Sequence, residues 1–263
     1  MNILIDIGNS RVKWACEANG NLTLHTALLH IASPDLPGFK NLEGLTETPF
    51  VNWQTQLFHT WQTLETPKKL IISSVAQQTV LETIVNLAIQ LWENVKIATP
   101  NSKDTLLGVK NSYFQPEKLG VDRWLCLLAA HYFYPNTAAW IIDCGTAITV
   151  DFLNADGEHQ GGLISPGLTL MKKSLLQNTA ALNFSAQTFE LGLANFTEAA
   201  IFSGTVYAAV GLIEQALKTQ TTEVVILLTG GDAELVSQQL QQPLIIEPDL
   251  VLKGLSIFSH LDL

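Results

Sequence analysis

Residues 5–14 read IDIGNSRVKW. An apolar strand carries Asp6 to its end, the chain reverses through Gly8-Asn9-Ser10, and an apolar strand returns with Lys13 inside it. A hairpin alone accounts for these residues, since Asp, Asn and Gly are ordinary turn formers. The pattern comes back half a chain later. IIDCGTA (141–147) repeats the apolar strand, aspartate, glycine and polar turn residue of LIDIGNS (4–10). Either copy alone is no more than a turn, but two copies at equivalent places in a repeat ask for a shared ligand.

The chemistry of the turns suggests what that ligand is. Glycine lets backbone N–H groups approach without an intervening side chain. Asn9, Ser10 and Thr146 add side-chain donors, and Lys13 adds a cation. Asp6 and Asp143, at the ends of buried strands, are poorly placed unless each holds a metal, water or another cation. Two facing turns of this kind would grip a polyphosphate from both sides, with carboxylate-bound cations offsetting its charge. Neither GxxxxGK[ST] nor GxGxxG occurs, so the two common phosphate-binding loops have no support.

Working outward, residues 2–7, 11–18 and 22–30 read as strands, 33–49 as a Pro/Gly-rich loop and 50–64 as a helix. A strand at 68–75, a helix at 77–92 and a strand at 95–98 complete a β-β-β-α-β-α-β half. Residues 99–119 are rich in turn formers, and the boundary is placed there, giving domains 1–116 and 117–263. The second half has a helix at about 117–134, three strands between 138 and 166, and helices near 166–177 and 196–218. It closes with a strand at 223–228, a helix at 232–240 and a strand at 243–247. Gly204 and Gly211 share one face of the 196–218 helix and predict close helix approach, and the six tryptophans read as core or subunit contact.

Composition bounds the function. A net charge of −10 and a pI near 4.9 oppose nucleic acid and anionic membranes, both of which need clustered Lys or Arg. Three scattered cysteines form no CxxC, and the six histidines show no metal-ligand spacing. No basic-then-apolar leader is seen, and no apolar run approaches the ~18 residues of a membrane span. A cytoplasmic protein is expected.

Five stretches together resemble the type III pantothenate kinases, of the acetate/sugar kinase, Hsp70 and actin superfamily. IDIGNSRVKW (5–14) is similar to their first phosphate motif, GVDR (120–123) to the substrate and catalytic motif, and DCGTA (143–147) to the second phosphate motif. GGLISPG (161–167) resembles the glycine-rich stretch after it, and TGGD (229–232) the adenosine motif. The one departure is Ser10, where the family most often has Thr; the hydroxyl is kept.

The resemblance implies an α/β fold of two duplicated ribonuclease-H-like, actin-like ATPase domains, each a mixed β-sheet flanked by helices, with a cleft between them. It implies ATP-dependent phosphorylation of pantothenate to 4′-phosphopantothenate, with Asp122 as general base early in a helix. Nucleotide contacts fall on Asp6, Gly8, Asn9, Ser10, Lys13, Thr146, Gly230 and Gly231. Substrate contacts fall on Tyr113, Gly120, Val121, Asp122, Arg123 and Thr179. Asp6 would orient Mg²⁺ through water, and Asp143 would bind a monovalent cation, K⁺ or NH₄⁺. A homodimer with a pocket partly closed by the second subunit is also implied, and no nucleic acid or membrane partner. From the residues alone, another small-molecule kinase or a nucleotide-sensing protein without turnover stays open, and Asp232, at the end of the TGGD stretch, could equally be a simple helix N-cap.

Overall fold

A computed structural model describes residues 1–30, 53–177, 187–219 and 223–261. The 33–49 loop and Thr179 expected from sequence lie outside those residues. The first sheet runs in the order β3-β2-β1-β5-β6, formed by β1 (Asn2–Ile7), β2 (Arg11–Ala18), β3 (Asn21–Leu24), β5 (Lys69–Ser74) and β6 (Lys96–Ala98). The short β4 (Leu28–Leu29) also pairs with β2. The second sheet has the order β11-β10-β9-β12-β13, from β9 (Ala138–Cys144), β10 (Ala147–Leu153), β11 (His159–Pro166), β12 (Val224–Thr229) and β13 (Ile245–Ile246). In each sheet an antiparallel meander is followed by two parallel strands, so the repeat seen in residues is also a repeat of topology.

Successive side chains of a strand point to opposite faces, and this parity places the site. On β1, Ile3, Ile5 and Ile7 pack outward with Trp61 and Ile84 of α1 (Trp53–Trp61) and α2 (Gln78–Leu91), while Leu4 faces inward. Asp6 shares the parity of Leu4. On β9, Trp140, Ile142 and Cys144 pack outward with Phe202, Val206 and Ile213 of α5 (Thr197–Leu217), and Ile141 faces inward with the parity of Asp143. By the same count Lys13 on β2 follows Ala15 inward, and Asp151 on β10 follows Leu153.

Between the sheets lies one apolar layer built around α3 (Val121–Phe133) and α7 (Leu250–Ser259). Arg123 to Ala130 are all buried, which makes α3 a helix apolar nearly all round. Helix α7 packs on α3 and on β1, β2 and β5, so the last helix of the chain lies against the first sheet. Gly254 is where the two helices meet: a Cβ there would collide with the Leu125 carbonyl.

Several expectations need correction. The strand read at 22–30 is two edge pieces, β3 and β4, both pairing with β2. The 232–240 helix shortens to α6 (Ala233–Ser237) and the 243–247 strand to β13. Residues 99–119 contain a two-stranded ribbon, β7 (Thr105–Leu106) with β8 (Val109–Lys110), and a 3-10 turn at Pro116–Lys118. Helix α7 has no counterpart in the sequence reading. Helix α5, 21 residues with a hydropathy of 1.4, is long and apolar enough to cross a membrane, contrary to expectation. Half of it is buried, however, and its Phe202, Val206 and Ile213 pack on the second sheet, as in a core helix. Gly204 and Gly211 do not mediate close helix approach within the chain; among the described residues nothing lies within 4 Å of a Cβ at either.

Candidate active site

The two hairpin turns differ by one residue and are otherwise alike. Between the last paired residues lie Gly8-Asn9-Ser10-Arg11 in the first and Gly145-Thr146-Ala147 in the second. In both, the glycine N–H donates to the last turn carbonyl, at 3.0 Å to Arg11 and 3.1 Å to Ala147. The turns face each other: Ser10 Oγ and Thr146 Oγ1 are 2.8 Å apart. His30 braces the first turn, its Nε2 2.7 Å from the Gly8 carbonyl and its backbone N–H 3.2 Å from that of Ser10. Gly167 abuts the second turn, where a Cβ would meet the Gly145 and Thr146 carbonyls. Asn9 stands exposed at the first tip.

Behind the turns sit three carboxylates. Burial pushes Asp6 up to about 7, with the charges of Asp122 and Asp143 adding to the shift and Lys13 opposing it. Asp143 is pushed up to about 6, again by burial first and then by Asp122, with Lys13 opposing. Burial also raises Asp122, against the backbone N–H and positive charge of Arg123. These mutual influences put one carboxylate from each sheet and one from α3 around a common space, as the inward parity requires. Oδ1 of Asp6 and Oδ1 of Asp143 are buried without a hydrogen-bond partner. A carboxylate oxygen withdrawn from water and unpaired is well matched to a cation. Among the described residues no three His, Cys, Asp or Glu side chains cluster closely enough to enclose a metal. The donor set therefore fits cations that complete their shells with water and phosphate oxygens, as Mg²⁺ commonly does.

Lys13 reaches from β2 to the segment before α7, its Nζ donating to the Pro248 carbonyl at 3.0 Å. Gly230, at φ +94°, packs so closely on Asp143 and Cys144 that a Cβ would strike both. Gly231 lies against Arg11, whose Nη1 would be 3.2 Å from an added Cβ. Arg11 escaped the sequence reading although it follows Ser10 directly. It spans from the first turn to the TGGD turn, and together with Lys172 its charge opposes the burial that raises Asp232. Asp232 precedes α6 but makes no side-chain cap bond, so the simple cap reading is not what the geometry shows.

Gly120 and Val121 open α3, and Asp122 accepts the Arg123 backbone N–H at 2.8 Å. The same carboxylate occupies the space a Gly120 Cβ would need, which explains a glycine there. Arg123 is buried; its Nε and Nη2 donate to Asp151 at 2.8 and 2.5 Å, and its Nη1 donates to the Tyr113 hydroxyl at 2.8 Å. The structure thus brings Tyr113, Gly120, Val121, Asp122 and Arg123 to one end of α3, close to the carboxylates of the turns.

Comparison with known proteins settles the kinship. The family model for type III pantothenate kinase matches residues 2–219. This chain belongs to the type III pantothenate kinase family. A type III pantothenate kinase of Nitrosococcus oceani is 34% identical over 97% of this chain and 92% of its own. One from Dichelobacter nodosus is 32% identical, with 99% and 98% covered. Among solved structures, a Baf family protein from Campylobacter jejuni superposes with a TM-score of 0.56 at 20% identity, covering 97% of this chain and 96% of that one. An activator of 2-hydroxyisocaproyl-CoA dehydratase from Clostridium difficile, solved with bound ADPNP, gives 0.51 at 13% identity, covering 98% and 93%. At these identities they speak for the fold, the duplicated actin-like ATPase architecture that the family resemblance implied.

Proposed function

We propose that this pantothenate kinase transfers the γ-phosphoryl group of ATP to the primary hydroxyl of pantothenate, forming 4′-phosphopantothenate at the entry to coenzyme A synthesis. The observation that carries the reading is the meeting of Ser10 and Thr146 beside three half-buried carboxylates that influence one another. The halves 1–116 and 117–263 form the two walls. Gly8 keeps the first turn free of a side chain, and the Asn9 backbone N–H, the Ser10 and Thr146 hydroxyls and Lys13 hold the triphosphate from both sides. The nucleoside lies against the TGGD turn, which Gly230 lets pack directly onto Asp143 and Cys144.

Asp122 is the general base. The acceptor hydroxyl proton passes to its carboxylate as the oxygen attacks the γ-phosphorus, and ADP leaves with the pair of electrons from the broken P–O bond. Burial raises the basicity of Asp122 and so fits it to take that proton. Asp6 would hold Mg²⁺ through water and Asp143 a monovalent cation, K⁺ or NH₄⁺, and these ions would offset phosphate charge as it shifts. Gly120, Val121, Tyr113 and Arg123 line the acceptor side. After the bonds to Asp151 and Tyr113, Arg123 keeps one N–H on each terminal nitrogen, a pair suited to a carboxylate or amide oxygen. Thr179 is carried on the resemblance alone.

A second copy of the chain completes the acceptor pocket in this reading. The exposed Tyr207 of α5, with Gly204, Ala208 and Gly211 beside it, and the exposed Leu163 and Ile164 on the two sides of β11 are apolar surface available to it. Buried free thiols at Cys16, Cys126 and Cys144 suit a reducing, cytoplasmic setting. The test is ADP release by purified protein with Mg²⁺, with and without pantothenate, in K⁺ and in Na⁺ buffer. Pantothenate-dependent release, faster in K⁺, is expected; release indifferent to pantothenate in both buffers contradicts the reading.

A further inference from the structure

Behind Arg123 runs a buried polar chain that none of the roles above uses. Asp151, on the inward face of β10, takes both the Nε and Nη2 donors of Arg123. Its Oδ1 also lies 2.8 Å from His159 Nε2, and His159 Nδ1 lies 3.2 Å from Ser112 Oγ. Asp151 and His159 are 1% and 2% exposed, so water does not supply these bonds. An ionised carboxylate only accepts, so the imidazole tautomer with its proton on Nε2 donates to Asp151 and leaves Nδ1 to accept from Ser112. Burial opposes the Asp151 charge, but bonds from His159 and Arg123 outweigh it and hold this carboxyl below its ordinary range. The His159 ring stacks on Tyr113, with centroids 6.0 Å apart and planes 20° from parallel. Gly162 seals the arrangement, since a Cβ there would strike Asp151 and the Arg123 guanidinium.

The loop that carries Tyr113, the helix that carries Arg123 and the strands that carry Asp151 and His159 are therefore joined at one point. Such a chain fixes a guanidinium plane that could otherwise rotate about its long stem. We propose that Asp151 and His159 are positioning residues for the acceptor substrate, acting through Arg123 and Tyr113. They touch neither ATP nor the reacting atoms. Their effect is to hold the two remaining Arg123 N–H groups and the Tyr113 ring in the orientation that receives pantothenate. This rests on the acceptor side assigned above.

The test is a split between the two substrates. His159→Phe keeps a ring against Tyr113 but removes the bonds to Asp151 and Ser112, and Asp151→Asn sets an amide NH₂ against the Arg123 donors. With folding checked by circular dichroism, His159→Phe, which removes one charge-assisted bond to Asp151, should raise KM for pantothenate about tenfold, and Asp151→Asn, which weakens three, by about tenfold or more, while KM for ATP stays within about twofold in both. His159→Gln, which keeps an N–H donor, should return KM for pantothenate to within about threefold of wild type. Unchanged pantothenate KM in the folded variants, parallel movement of both KM values, or no rescue by Gln would each overturn the proposal. Should His159→Phe not fold, Ser112→Ala carries the same expectation at about two- to threefold, and an unchanged pantothenate KM there overturns it too. The wild type separates this from the underlying function: no pantothenate-dependent ADP release there removes the function itself, whereas normal release with unshifted variants removes only the positioning role.

Discussion

Ser10 and Thr146, 136 positions apart in sequence, bring their hydroxyl oxygens within 2.8 Å of each other. Counted back from the returning strand, they occupy corresponding places in two hairpins that differ by one turn residue, so the contact closes the repeat upon itself. If a triphosphate is held there, each hydroxyl contributes to it. Ser10→Ala and Thr146→Ala should each raise KM for ATP by about tenfold, with pantothenate KM little changed. Because the two hydroxyls share one ligand, the double variant should depart from the product of the single effects. Steady-state kinetics of the three variants checks this.

Asp122→Asn removes the proton acceptor but keeps size and the backbone bond from Arg123. The account expects kcat to fall by roughly 10²- to 10⁴-fold, the usual worth of general base catalysis, with circular dichroism unchanged. Nearly normal turnover would remove Asp122 from that role.

Stability should depend on pH through Asp6 and Asp143. Each carboxyl titrates higher in the folded chain, about 7 and about 6, than its unfolded value of 3.8. The folded state therefore holds the proton more tightly, and stability is lost as pH rises from about 4 through about 7. Without divalent or potassium ions, Tm should fall between pH 5 and pH 8. Added Mg²⁺ and K⁺ should restore it at pH 8 by binding the folded state alone. Asp6→Asn should flatten the dependence, and differential scanning calorimetry across this range is the measurement.

Gly254→Val tests the packing of the last helix. The added atoms would run into the Leu125 backbone of α3, which cannot yield without shifting the helix that carries Asp122. A loss of about 1–3 kcal/mol or more is expected from overpacking, read as a lower urea midpoint, with kcat falling alongside.

Much of this was legible in the residues because strand parity is unforgiving. Once LIDIGNS and IIDCGTA are strands ending in turns, Asp6 and Asp143 must share the inward faces of Leu4 and Ile141. The acidic residue at the head of α3 was readable for a similar reason, since GVDR opens a long apolar helix. Helix α7 went unread although its period is there: Val251, Leu255 and Phe258 recur at helical spacing and are buried, with Lys253, Ser256 and His260 on the other side. Asp151 and His159 also escaped notice: each is an unremarkable polar residue in a strand, and only the fold brings Asp151 to Arg123, 28 positions away, with His159 on Asp151, 8 positions away. Spacing put Gly204 and Gly211 on one helical face but did not tell what covers it, and among the described residues nothing does.

The most direct trial of the account is a crystal structure of this chain with a non-hydrolysable ATP analogue, Mg²⁺ and pantothenate. The account predicts the phosphates between Ser10 and Thr146 and the pantothenate hydroxyl within hydrogen-bond reach of Asp122. Phosphates bound elsewhere, or a hydroxyl remote from Asp122, would contradict it.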